Sequence, residues 1–152
     1  MSLLTVSPHV RLVKAVEQMI FIGDAKPARV FRTYVPEEKL HELTEPYVSV
    51  VLGQRRILAA RNRDAVDYEC EVVVVIAMQL PDNEANTVDN ALSMVEENIE
   101  RLRTNRLPGI NAKIVEASIV QAVPYSEPVL RAYGVFLSAV SAKWIVSVDR
   151  RD

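Results

Sequence analysis

Two groups of charged residues follow each other in the middle of the chain and offer the first place to look for chemistry. Arg55, Arg56, Arg61 and Arg63 come first, and Asp67, Glu69 and Glu71 come directly after. Carboxylates at alternate positions of an extended chain fall on one side of it, about 6.5–7 Å apart, so the three acids would form a ladder on one strand face. Such a ladder could hold a hard cation, and a hydrolase using it with a metal is one reading. No further acidic or amide ligand stands beside it at a recognisable spacing, which favours a solvated face instead. Guanidinium groups suit phosphate, so the arginines could meet a nucleic-acid backbone. They have no aromatic neighbours for base stacking and the net charge is −2, so no specific nucleic-acid binding is expected. Nonspecific contact with DNA passing through a channel would need only a few of them. A third reading joins the two groups as complementary charges that meet within a subunit or between copies. Arg55, Arg56, Arg61, Arg63, Asp67, Glu69 and Glu71 are therefore the expected subunit or partner contacts.

The other reactive residue types point away from catalysis. Cys70, the single cysteine, lies on the apolar phase of its strand, where a thiolate is disfavoured, and reads as a small core residue. His9 and His41 stand far apart without the spaced partners of a zinc site and read as surface histidines. Gly23, Gly53, Gly109 and Gly134 sit singly at the ends of elements, so they build neither a dinucleotide fingerprint nor a phosphate loop. The expectation is a protein that is not an enzyme and holds no cofactor or metal.

The carboxylates must be positioned by YECEVVVVIAMQL, residues 68–80. Tyr68, Cys70 and Val72 alternate with Glu69 and Glu71, and the run is then apolar through Met78. Consecutive β-branched residues crowd a helix and suit a pleated sheet, so this is a central strand with Cys70, Val72, Val74, Ile76 and Met78 turned inward. Each would contribute at most roughly 1.5–3 kcal/mol by burial. Before it, the pattern gives a helix from Ser7 and Pro8 to about Phe21, with the serine as N-cap. A first strand follows over residues 28–35, a helical turn within 37–46, and a short strand over 47–52 stopped by Gly53. Residues 53–66 read as a long basic loop, because a simple hairpin connection takes only about two to five residues. Thr87 then caps a helix with Val88, Ala91, Leu92, Val95, Ile99 and Leu102 on one face, and Glu97 is spaced to pair with Arg101. Strands over 112–123 and 135–148 close the chain, with the turn-rich PYSEP and one helical turn between them. The expected fold is α+β: a single mixed, largely antiparallel sheet of about five strands with two main helices packed on one face.

The whole chain, residues 1–152, is expected to form one domain, long enough to bury a core and ordinary in its 49% hydrophobic content. No apolar run reaches the roughly 18 residues of a membrane span, and MSLLTVSPHVR lacks the basic start and apolar stretch of a signal peptide. Synthesis in the cytosol without membrane association is therefore expected.

Spaced apolar and aromatic residues recur through RVFRTYVPEEKLHELTEPYVSVVLGQRR, VDYECEVVVVIAMQL, TVDNALSMVEENIERLR and VPYSEPVLRAYGVFLSAVSAKWIVSV. In this combination the chain resembles the tail terminator and tail-completion, or head-to-tail joining, proteins of tailed bacteriophages and prophages. The paired Arg55 and Arg56 and the valine-rich centre lie outside the likeness. The resemblance implies a virion structural protein of mixed α/β fold that self-assembles as a ring, commonly of six, and caps the tail tube. Its implied partners are copies of itself, the tail tube protein and head-connector proteins. Its implied location is the host cytoplasm during assembly and then the virion tail. The alternative is a small ligand-binding or regulatory module using the groove between helices and sheet.

Overall fold

The computed structural model describes residues 7–60, 65–82 and 84–149, so Arg61 and Arg63 lie outside the described residues. In chain order the elements are α1 (Pro8–Glu17), β1 (Val30–Phe31), a 3-10 segment (Glu37–Glu42), β2 (Tyr47–Ala60), β3 (Ala65–Gln79), α2 (Ala85–Thr104), β4 (Ala112–Val120), α3 (Glu127–Tyr133) and β5 (Val135–Asp149). The five strands form one sheet in the order β1-β2-β3-β5-β4, antiparallel throughout except for the parallel pair β1 and β2. The valine-rich stretch is the central strand, as its composition requires, and it is hydrogen-bonded on both sides.

One face of the sheet carries the main core. Cys70, Val72, Val74 and Ile76 of β3 are buried there beside Val48 and Val50 of β2, and beside Phe136, Val140, Ala142, Trp144, Val146 and Val148 of β5. Helix α1 brings Leu12, Val13 and Val16 onto this face, and α2 brings Val88, Ala91, Val95 and Leu102. Met78 is partly buried at its margin. The other face has a smaller cluster at one end, where Leu40 of the 3-10 segment meets Tyr47, Ala77 and Val135.

Several boundaries move for local reasons. Ser7 caps α1 through Val10 N–H, as its type predicts, but the α-helix stops at Glu17 and continues as tight turns to Ile20. The strand expected over 28–35 shrinks to Val30–Phe31; beyond it the chain leaves the sheet, and the Ser49 hydroxyl donates to the Thr33 carbonyl at 2.7 Å. Thr87 is not an N-cap: α2 begins earlier, and Asp82 Oδ1 instead accepts from Glu84 N–H at 3.0 Å and the Thr87 hydroxyl at 2.7 Å. The terminal strand regions also differ at β4, which ends at Val120. Gly134 closes α3 in the left-handed region, φ +67°, returning its N–H to Leu130.

Asn98 joins α1's exit to α2. Although buried on the helix, it accepts from Phe21 N–H and donates to the Phe21 carbonyl, both at 2.8 Å. Arg101, spaced in sequence to pair with Glu97, instead donates to Asn98 Oδ1 and the Met19 carbonyl and lies 4.4 Å over the Phe21 ring. A side-chain amide thus replaces the strand neighbour that Phe21 lacks. Asn98→Leu should leave both backbone groups unpaired and cost about 1–3 kcal/mol, read as a lower urea midpoint with unchanged slope.

Candidate functional site

The expected basic loop over 53–66 is for most of its length a strand. β2 runs through to Ala60, so Arg55 and Arg56 stand on a β-hairpin arm opposite Cys70 and Glu69 of β3. The pattern concealed this because β2 carries an extra residue between Leu52 and Arg55, and another between Ile57 and Ala59. Each bulge reverses the in–out alternation from which a strand would be recognised.

Gly53 makes the first bulge possible. The Glu71 side chain lies across it, and Glu71 Oε1 accepts from Gln54 N–H at 3.3 Å. A Cβ on residue 53 would sit 2.7 Å from Glu71 Cγ and 2.9 Å from Glu71 Cβ, closer than atoms pack. One step along, Glu69 meets two cations: Arg56 Nε at 3.0 Å and Lys143 Nζ of β5 at 3.9 Å. The Arg55 guanidinium lies 5.6 Å over the Tyr68 ring. Gln54, Arg55, Arg56, Glu69 and Lys143 line an open cleft of about 220 Å³. Asp67 lies further out on the same face as Glu69, opposite Ser147 and Ala59.

The structure thus brings Arg55, Arg56, Glu69 and Glu71 together, with Asp67 on the same strand. The carboxylates do not converge on a common point: Glu69 turns to Arg56 and Lys143, Glu71 to the bulge. Among the described residues no group of three His, Cys, Asp or Glu side chains is gathered as a metal site. The acidic and basic groups meet within the subunit at Arg56 and Glu69, where Glu69 is only 15% exposed and Arg56 mostly exposed. With 69% of its side chain exposed, Arg56 still faces solvent from this pair.

Sequence reasoning missed the apolar half of this arm. Leu52, Ile57 and Leu58 are exposed beside the arginines, Ile57 at 65%. The available signal was three large aliphatic residues flanking Arg55 and Arg56 where a solvated loop would have been polar. Lys143 was also missed, since only strand pairing carries it to Glu69. His9 proves to be buried, not a surface residue: it sits at the start of α1 and its Nε2 donates to the Glu71 carbonyl at 2.7 Å, tying the helix to the arm's base. His41 is exposed, its ring 5.1 Å from that of Tyr133.

Cys70 is fully enclosed in the main core. Burial pushes its thiol up to about 11, the Arg55 guanidinium opposing and Glu69 adding to the rise. The cavity beneath the middle of α2, lined by Val95, Ile99, Val74 and Val140, is about 20 Å³, enough for little more than a water, whereas an open cleft of about 650 Å³ lies between the end of α2 and β4, lined by Arg103, Arg106, Lys113, Glu116 and Trp144. The arm presents exposed cations and aliphatic side chains at the edge of the sheet.

No family model and no curated sequence matches this chain. Among solved structures it is similar to the sheath/tube terminator of an extracellular contractile injection system, PVC, seen by cryo-EM in the extended state, at 15% identity and a TM-score of 0.50. The match covers 96% of this chain and 58% of that one, so this chain spans little more than half the terminator's length. The likeness is one of fold.

Gly53→Ala should destabilise the protein by about 1–3 kcal/mol, and Glu71→Ala in the same chain should recover only part of that loss, because it removes Glu71 Cγ but keeps the Cβ 2.9 Å away, a partial coupling read from a double-mutant cycle in urea. The folded thiol of Cys70 should resist a thiol reagent at pH 8 and react on unfolding. The unfolded thiol ionises near 9.0 and the folded one near 11, so the stability Cys70 contributes should be full below pH 9 and fall between these values.

Proposed function

We propose that this chain is a structural subunit of a phage tail or a phage-like injection system, a terminator that stops the growing tube. The single observation that carries this reading is the likeness in fold to a sheath/tube terminator over 96% of the chain. The arm supports it: exposed aliphatic residues next to cations on a rigid strand pair suit contact with protein. In this reading the protein is not an enzyme. It assembles in the host cytoplasm, associates with copies of itself in a ring, commonly of six, and caps the tail tube. There it offers a surface to the head-connector proteins of a phage or prophage particle.

Light scattering on the purified protein, alone and with tubes assembled from a tail-tube protein, tests the proposal. The expected outcome is a ring, formed alone or on the tube end, and tubes of uniform length with capped ends by electron microscopy. A strict monomer that leaves tubes uncapped and growing would overturn it.

A further inference from the structure

We infer that copies of this chain join by pairing the open edge of β2 in one with the open edge of β4 in the next, so that the sheet continues from subunit to subunit. The inference rests on the terminator reading for the expectation that copies associate, and adds which surfaces meet and in what register.

The two edges stand at opposite ends of the sheet. β1 covers only Val48 and Ser49 of β2, which leaves the edge beyond them without a strand partner among the described residues, while β4 is the outermost strand at the other end. From β2 through β3 and β5 to β4 every neighbour is antiparallel, so β2 and β4 run in opposite directions. A copy set alongside by rotation about an axis parallel to the strands therefore presents its β4 antiparallel to β2. The two edges are also level. Ile57 pairs with Tyr68, which pairs with Val146, which pairs with Ala112; Val51 is carried in the same way through Val73 and Ser141 to Val120. The unpaired part of β2 and the length of β4 thus lie at the same height, and unlike edges meeting head to tail are what generate rings.

Charge selects the register. Strictly level pairing would set Arg56 against Lys113. A slip of two residues, the smallest that keeps every side chain on its own face, places Ile57 opposite Ile114, Arg56 opposite Val115 and Arg55 opposite Glu116. Glu116 is 63% exposed even while it holds Arg103 at 3.3 Å, and Val120 beyond it is 53% exposed. Stagger of this kind is also what closing a sheet on itself requires. The bulges on β2 and the irregular stretch of β4 between Val115 and Val120 keep the paired window short, which blunts open-ended aggregation.

The test is oxidation of the Arg56→Cys/Val115→Cys variant under conditions where light scattering shows the wild type associated. The expected result is a ladder of covalent multimers, absent from either single variant. In addition, Arg55→Glu and Glu116→Arg should each weaken association about tenfold or more, and the double variant should restore it. Both of those sites are exposed, so folding is not at stake. A wild-type ring with no ladder and no charge-swap rescue overturns this pairing while the terminator reading stands. A ladder from Arg56→Cys alone that stops at the dimer overturns it in favour of a two-fold β2 contact. A wild type that associates neither alone nor on tubes overturns both.

Discussion

The unbroken ladder between β3 and β5 is the constraint on which the rest of the molecule depends. All of Ala65–Gln79 opposes Val135–Asp149 without a bulge, a run of roughly 50 Å at about 3.4 Å per residue. Because neither strand slips, the apolar phase of β3 and that of β5 face the same side along the full length. Cys70 and Trp144, Val72 and Ala142, and Val74 and Val140 are direct partners and all are buried. Two helices then need only a matching apolar stripe to complete the core. The polar phase is fixed equally firmly, so Glu71 opposes Lys143, and Glu69, one pair along, reaches the same lysine.

β2 is tied to this frame less regularly, and its irregularity is what makes a site. A continuous β2 would be an ordinary third strand. The Gly53 bulge instead lets Glu71 fold over the backbone, and beyond it the arm carries Arg55, Arg56, Ile57 and Leu58 at an edge with no strand partner among the described residues. The same glutamate receives His9 at its carbonyl, so the start of α1, the bulge and the central strand are fastened at one residue. Ser118 plays a similar part at the opposite edge. Its hydroxyl donates to the Val115 carbonyl at 2.5 Å and accepts from Lys143 N–H at 2.8 Å where β4 departs from regular pairing. Both edges are thus irregular but locally satisfied, a state in which a strand can accept a particular partner without inviting any partner.

The similarity to a sheath/tube terminator reaches over nearly all of this chain and little more than half of that one. Folds of this size serve many functions, and in this chain the architecture is combined with an exposed cationic and aliphatic edge.

Composition and local pattern determined much of the fold. The valine run could only be a sheet strand, the spacing from Val88 to Leu102 could only be an amphipathic helix, and Ser7 with Pro8 marked a helix start; these are short-range effects of side-chain shape and backbone capping. The layer of helices and the inward set of β3 followed from them. Tertiary structure alone decided what depends on residues distant in sequence. Gly53 means nothing until Glu71 lies across it, His9 looks like a surface residue until the Glu71 carbonyl claims it, and Lys143 joins Glu69 only through the β3–β5 register. The arm itself looked like a loop because each added residue in β2 reverses the alternation of side chains. Local pattern records phase, whereas a bulge is defined by the partner strand it slips against.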